Sequence, residues 1–268
     1  MSPPVDQRLQ PIHLADFRQV IAVFTDVDGT LTTDNTLQSR TLAAMEQLRS
    51  RDIKLVLVSG RPSGWGECWI RTLPIDGAIV ENGALYYALG PAGVVRKSYA
   101  QSASVRRRNR PRLFREVRAA LRRVPRASFS ADSLQTEVDL AIDYNEQVRL
   151  GVATAIRLES MLRRRGVTAV RSSVHVNCWI GRFNKLSTTD RFIRRQWGLT
   201  MRNRDPRFVY VGDSFNDAPM FERFGLSVGV ANVSDIIEHI EHRPWFVTHG
   251  REGRGFEELV GRIAASKR

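Results

Sequence analysis

The stretch AVFTDVDGTL at positions 22–31 closes an apolar run with two aspartates one residue apart, Asp26 and Asp28, followed by Gly29 and Thr30. The run VIAVF (20–24) has the length and β-branched content of a buried strand. Residues i and i+2 of an extended chain point to the same side, so the two carboxylates would face one another's surroundings. Like charges that close repel, and burial adds a desolvation cost. The pair therefore calls either for a wet turn or for positive charge nearby. Gly29 permits a tight turn, and Thr30 can donate hydrogen bonds into the loop. Alone, D-x-D-G is also the composition of a simple acidic turn.

Outward from this stretch the chain alternates. Thr36 is placed to cap a helix running to about Ser50, with Leu42, Met45 and Leu48 on its inner side. IKLVLVSG (53–60) and GAIVENG (77–83) read as further buried strands, with a short helix between them. Strand–helix–strand order of this kind predicts a parallel sheet with right-handed crossovers. The middle of the chain offers strands at DLAIDY (139–144), VTAVRSS (167–173) and VHVNCWI (174–180). A helix from about Gln147 to Arg165 ends at Gly166, and Arg163, Arg164 and Arg165 lie in its last turn, where cations suit the helix dipole. The first pattern then resumes with a helix after Lys185, strand FVYVG (208–212), a helix near 218–224, strand LSVGV (226–230) and a C-terminal helix. The expected organisation is an α/β core domain, 1–85 and 181–268, interrupted by an inserted α+β domain at 86–180.

The composition, 42% apolar and 26% charged over 268 residues, is that of a globular protein with a full core. No apolar run reaches the roughly 18 residues that span a bilayer, so no membrane partner is expected. The N-terminus, MSPPVDQRLQP, lacks the apolar centre of a signal peptide, and Cys68 and Cys178 form no C-x-x-C. A cytoplasmic location with reduced thiols is the expectation. The net charge of +13 is concentrated: residues 86–180 hold 18 Lys+Arg against 7 Asp+Glu. Its densest part, RRRNRPRLFREVRAALRRVPR (106–126), also carries Leu113, Val117, Leu121 and Val124 at helical spacing. Only Phe114 interrupts the arginines with an aromatic ring, so base stacking has little support. Arginine outnumbers lysine 37 to 4, a bias running through the whole chain, and a solvated helix face is the reading adopted.

Three further groups fall at expected strand ends, where ligands gather in open parallel sheets. Ser59, Gly60 and Arg61 follow the second strand, offering a hydroxyl and main-chain N–H groups suited to phosphate oxygens. Lys185, one of four lysines, opens a helix after the insertion. VYVGDSFNDAPMF places Asp213 and Asp217 after another strand. Together with Asp26 and Asp28 these carboxylates would form an oxygen-rich site of the kind Mg²⁺ takes, with water and substrate phosphate completing it.

The set DVDGT, VSGR, a lysine after an insertion, and GDSFND resembles the haloacid dehalogenase superfamily of phosphotransferases. The insertion after the third strand, together with ENGA (81–84), resembles subclass IIB. That group includes Cof-like sugar phosphatases, sucrose- and trehalose-phosphate phosphatases and mannosyl-3-phosphoglycerate phosphatase. The resemblance implies a Rossmann-like core with a type-two cap, and an aspartyl-phosphate mechanism dependent on Mg²⁺. It implies Asp26 as nucleophile and Asp28 as proton carrier. The metal would lie on Asp26, the Asp28 main-chain carbonyl and Asp213, with Asp217 close behind. Ser59, Gly60, Lys185 and Asn216 would hold the phosphoryl group, and Arg61, Asn82, His175 and Asn177 are the candidates for the leaving group. Trp65 and Trp179 are expected as packing residues. The implied partner is a small phosphorylated metabolite, a sugar phosphate; a basic insertion would suit a second anionic group, as in a phosphoglycerate ester. The chain departs from many members at NKLST, where Leu186 follows the motif lysine. DVDGTLT also resembles eukaryotic-type phosphomannomutases, and a nucleic-acid-binding protein using the arginines is a third reading, against which the intact DVDGT stands.

Overall fold

A computed structural model describes residues 9–172 and 174–267. Residues 1–8 of the N-terminal stretch, and Ser173 at the end of the expected strand 167–173, lie outside the described residues. The first elements are β1 (Gln10–Pro11), β2 (Ala22–Thr25), α1 (Ser39–Arg49), β3 (Lys54–Val58) and α2 (Ser63–Thr72). There follow β4 (Gly77–Val80), β5 (Leu85–Leu89), β6 (Val95–Tyr99), α3 (Ala103–Leu121), β7 (Ser128–Phe129) and β8 (Leu140–Asp143). The chain continues through α4 (Gly151–Arg163), β9 (Thr168–Arg171), β10 (His175–Trp179) and α5 (Lys185–Trp197). It ends with β11 (Phe208–Gly212), α6 (Ala218–Arg223), β12 (Leu226–Gly229), β13 (Phe246–Val247) and α7 (Glu252–Ser266). Among the described residues no helix is long and apolar enough to cross a membrane.

By its contacts the chain divides into two compact units. One comprises Met1–Val58, Thr72–Gly77 and Asp190–Arg268; the other comprises Ser59–Arg71 and Ala78–Thr189. This division draws the second unit wider than the 86–180 insertion marked out by the motifs, because α2 and the ends flanking the insertion are counted with it.

The first unit is a parallel sheet in the order β1-β13-β12-β11-β2-β3. Its central strands are buried on both faces, as parallel strands are. Ala22, Val23, Phe24, Phe208, Val209 and Tyr210 are fully enclosed, and the Phe24 ring packs against Trp197, Phe208 and Phe224. The α1 helix packs against α7, where Thr41 Oγ1 donates to Glu257 Oε1 at 2.9 Å. Two expectations for α1 fail. Thr36 does not cap it: Thr33 and Thr36 exchange main-chain hydrogen bonds in a small bridge, and Gln38 takes the cap position. Leu42 is 38% exposed, the buried stripe being Thr41, Ala44, Met45 and Leu48.

The second unit holds an antiparallel β5–β6 hairpin, which the sequence reading does not anticipate, and an antiparallel sheet β7-β8-β10-β9. Alternation along this sheet separates two faces. Leu140, Ile142, Ala169, Val176 and Cys178 pack with Leu113 and Val117 of α3 and Leu158 and Leu162 of α4. Asp139, Asp143, His175 and Asn177 are buried polar residues of the same strands and their ends. The α4 helix starts at Gly151, later than the expected Gln147, because the Asp143 carboxylate accepts the N–H groups of Asn145, Glu146 and Gln147 and holds them in a turn.

The expected strand 77–83 ends at Val80, where Glu81, Asn82 and Gly83 turn sharply with φ of 48°, 54° and 95°. For the two residues with side chains this costs about 1 kcal/mol or more each. The fully buried Glu81 carboxylate holds the turn by accepting main-chain N–H groups from Ser63, Glu137, Val138 and Asp139 at 3.0, 2.8, 2.7 and 3.0 Å. Burial pushes this carboxyl above the usual range, against the opposing pull of the four N–H groups. Glu81→Gln would set an NH₂ against two of those donors and is expected to cost roughly 2–4 kcal/mol, read as a lower urea midpoint of the intact chain; an unchanged midpoint would show that the carboxylate is not what holds the turn.

Candidate active site

In the first unit, parallel pairing of β2 and β11 in the register Thr25↔Val211 brings two strand ends level. Asp26 follows β2 directly, and its N–H donates to Val211 O at 2.9 Å. Asp213 follows β11 directly, and Asp217 lies in the 3₁₀ turn beyond it. One carboxylate oxygen from each of Asp26, Asp213 and Asp217 falls within 4.8 Å of the others, and all three residues are buried. Asp28 is half-buried and is not one of this group, while Asn216 lies on the same turn as Asp217 and accepts the Ser214 hydroxyl at 2.5 Å.

Neutral groups donate to Asp213 and Asp217. Asp213 Oδ1 accepts Thr30 Oγ1 at 3.2 Å, and its Oδ2 accepts Asn232 Nδ2 at 2.9 Å. Asp217 accepts the Tyr210 hydroxyl on one oxygen and the Asp213 and Ser214 N–H groups, each at 3.0 Å, on the other. These bonds make Asp217 the residue that shapes the Asp213 turn. The Tyr210 hydroxyl is pushed well above its usual range, first by burial and then by the charges of Asp217, Asp26 and Asp213. Such a set of crowded carboxylates fits a hard divalent cation, which takes oxygen ligands and offsets their repulsion.

One residue of this construction, Asn232, is not singled out in the sequence. Asn232, after β12, donates both to Asp213 and to Gly29 O at 3.0 Å, clamping the two loops together. Gly29 itself is required twice: its φ is +75°, and a Cβ there would lie 2.6 Å from Asp213 Oδ2. Thr30 does donate from its loop, as its position suggested.

In the second unit, Ser59 is the first residue after β3; it is buried, and its Oγ accepts the Arg61 N–H at 3.0 Å. The Asn82 and Asn177 amides crowd Gly60, so that a Cβ there would lie 3.2 Å from Asn82 Oδ1 and 3.4 Å from Asn177 Nδ2. Asn82 Nδ2 donates to Asp139 Oδ2 at 2.9 Å. The Arg61 guanidinium reaches Glu146 at 3.0 Å and Asp132 at 3.4 Å, and Glu146 Oε2 lies 2.9 Å from His175 Nε2. The four candidates for the leaving group, Arg61, Asn82, His175 and Asn177, thus belong to one linked group with Ser59 and Gly60. Trp65 packs against the Trp69 ring at 5.7 Å while staying 39% exposed, with Arg61 5.1 Å from its ring centroid. Trp179 is buried, stacking on Phe183.

Lys185 is buried and opens α5. Asn184, just before it, caps the helix by accepting the Ser187 N–H at 2.8 Å. Gly83 admits this junction closely: a Cβ on it would overlap Asn184 O, and Thr188 Oγ1 donates to Gly83 O at 2.6 Å.

Many arginines of the insertion are engaged within the unit. Arg110 donates to Thr136 and Asp139 carbonyls, Arg106 lies 3.4 Å over the Tyr99 ring, and Glu116 pairs with Arg115 and Arg165. Of the stretch expected to form a solvated helix face, residues 106–121 lie on α3, and these contacts engage several of its arginines within the unit.

The family model for haloacid dehalogenase-like hydrolases matches residues 23–106. The chain is 26% identical over 252 residues to a phosphoglycolate phosphatase of Methanosarcina acetivorans, covering 89% of this chain and 94% of the relative. A solved structure of the Thermoplasma acidophilum protein 0175 superposes with a TM-score of 0.69 at 16% identity, covering 91% of this chain and 98% of that one. The sucrose-phosphatase of Synechocystis sp. PCC6803, in complex with sucrose and phosphate, gives 0.66 at 17% identity, covering 92% and 98%. At such identities these structures share the fold.

Two outcomes test this geometry. Gly29→Ala combines a left-handed backbone with overlap on Asp213 and is expected to lose about 1–3 kcal/mol of stability, measured by urea unfolding; a variant as stable as the parent would mean the loop has room that the geometry denies. The Glu146 carboxyl is held down to about 2, chiefly by its hydrogen bond to His175 and then by the Arg61 charge. It therefore stabilises the fold above its ordinary value of about 4.3 and loses that contribution as the pH falls toward 2. Glu146→Gln is expected to flatten the stability–pH profile in this window, and an unchanged slope would refute the assignment.

Proposed function

We propose that this chain, which belongs to the haloacid dehalogenase-like hydrolases, is a Mg²⁺-dependent phosphatase that hydrolyses a small phosphorylated metabolite, a sugar phosphate, through an aspartyl-phosphate on Asp26. The observation that carries this reading is the convergence of Asp26, Asp213 and Asp217 in a buried group at the ends of parallel strands. A nucleophilic carboxylate there splits one difficult displacement into two easier ones. Asp26 attacks phosphorus and the leaving oxygen departs with a proton from Asp28. Asp28 then takes a proton from the water that attacks the aspartyl-phosphate, releasing inorganic phosphate and restoring Asp26. Asp26, the Asp28 carbonyl and Asp213 would hold the metal, with Asp217 positioning Asp213; the bound cation would offset charge on the phosphoryl oxygens. Ser59, the Gly60 N–H, Lys185 and Asn216 would bind the phosphoryl group, and the Lys185 ammonium would balance its charge.

The sequence-similar phosphoglycolate phosphatase and the structurally similar sucrose-phosphatase support phosphoryl-ester hydrolysis as the reaction class. In this reading the 86–180 insertion is the cap that selects the leaving group, and the enzyme works in the cytoplasm on a metabolite. Phosphate release from p-nitrophenyl phosphate and a panel of sugar phosphates tests it. Activity is expected to require Mg²⁺ and to vanish with EDTA. Asp26→Asn is expected to lower kcat by about 10³-fold or more, with near-parental stability. Turnover by Asp26→Asn at the parental rate would remove the nucleophile assignment, and EDTA-resistant turnover would remove the metal.

A further inference from the structure

We propose that the group around Arg61 reads an uncharged, polyhydroxylated leaving group, and that Glu146 and Asp132 are the residues that select it against leaving groups carrying a second anion. This rests on the phosphatase reading, and takes Ser59 as the anchor of the phosphoryl group. The Arg61 N–H donates to Ser59 Oγ at 3.0 Å, so an ester held at Ser59 has Gly60, Arg61 and the two amides beside it.

Charge decides the class. The insertion as a whole is strongly basic, which favours an anionic substrate; the immediate surroundings of Arg61 also hold acids. The Arg61 guanidinium, with only 10% of its side chain exposed, is matched by two carboxylates, Glu146 at 3.0 Å and Asp132 at 3.4 Å. At Arg61 itself, one guanidinium stands against two carboxylates, so a second anion on the leaving group there would meet like charge in a partly desolvated setting. Arg110, another cation nearby in the unit, is spent on the Thr136 and Asp139 carbonyls.

The same set suits hydroxyl groups. A hydroxyl both donates and accepts, whereas a carboxylate only accepts. Glu146 and Asp132 offer acceptor oxygens, and the buried amides of Asn82 and Asn177 offer both kinds of group. Behind Asn82, the buried Asp139 takes that amide on Oδ2, while its Oδ1 has no hydrogen-bond partner among the described residues. The acids are also held in place before any ligand arrives. Asp143 fixes the turn that carries Glu146 through three N–H groups, Ser130 Oγ donates to Asp132 Oδ1 at 2.8 Å, and His175 holds the far oxygen of Glu146. Rigid acceptors of this kind discriminate by hydrogen-bond complementarity, the most selective form of recognition available to a pocket.

The test compares kcat/KM with Mg²⁺ for aldose, ketose and polyol monophosphates against phosphoglycolate and phosphoglycerate, with p-nitrophenyl phosphate reporting the phosphoryl chemistry itself. The best sugar or polyol phosphate is expected to exceed both anionic esters by about tenfold or more, and Glu146→Gln and Asp132→Asn are each expected to shift that ratio toward the anionic esters by a similar factor. The ratio is the readout because a loss of folded protein scales both of its terms equally. A parental preference for phosphoglycolate or phosphoglycerate overturns the proposal, as does a ratio unmoved in both variants. No phosphate release from any ester, p-nitrophenyl phosphate included, removes the phosphatase reading and this inference with it.

Discussion

The mutual repulsion of three buried carboxylates is the constraint around which the first unit is organised. Asp26, Asp213 and Asp217 come together because β2 and β11 are adjacent, parallel and level at their ends. Thr30, Asn232, Tyr210 and main-chain N–H groups turn toward Asp213 and Asp217. Neutral donors stabilise a carboxylate without cancelling its charge, and the Tyr210 phenol is driven away from ionising first by burial and then by all three acids. Three acids held this close favour a cation among them, and the divalent metal of the proposed mechanism would supply one.

The second unit uses its acids differently. It looks basic in composition, yet each of the seven acidic residues between 86 and 180 has a defined partner. Glu116 pairs with Arg115 and Arg165, Asp132 with Arg61, and Glu137 with Lys97 and Tyr99. Asp139 takes Asn82, Asp143 takes a turn of main chain, Glu146 takes Arg61 and His175, and Glu159 takes the Arg171 N–H. Net charge counts the arginines; local geometry shows that Arg61, two residues from Ser59, is already met by two carboxylates. For this reason the surplus of positive charge says less about the substrate than the two carboxylates on Arg61 do.

The strand ends were legible in the sequence because the signal is local. An apolar run followed at once by Asp26, Ser59 or Asp213 states both the strand and the residue at its end, and FVYVG is a strand over the same five residues, 208–212. What escaped depends on distant pairing or on competition. Asn232 clamps Gly29 across 203 positions, and no pattern near Asn232 announces it. Thr36 carries a good cap residue's side chain, but its main chain is taken by the bridge to Thr33. Gln147 has helical neighbours, but its N–H belongs to Asp143. In each case a contact made elsewhere overrode a sound local preference. The β5–β6 hairpin goes unanticipated because residues 86–99 open the basic insertion, where the first expected strand is 139–144.

The tripeptide Glu81-Asn82-Gly83 shows why the sites of the second unit are hard to alter separately. Glu81 gathers the main chain of 137–139 and of Ser63; Asn82 stands at Gly60 on the Asp139 carboxylate; Gly83 admits Asn184 and the start of the Lys185 helix. Two strained left-handed residues are tolerated here because a buried carboxylate with four N–H donors over-determines them. The residue proposed to balance the phosphoryl charge and the residues proposed to read the leaving group therefore hang from one rigid turn. A change that relaxed it would move Lys185 and Asn82 together, so substrate preference in this chain is more readily retuned at Glu146 or Asp132, whose loops are fixed independently by Asp143 and Ser130.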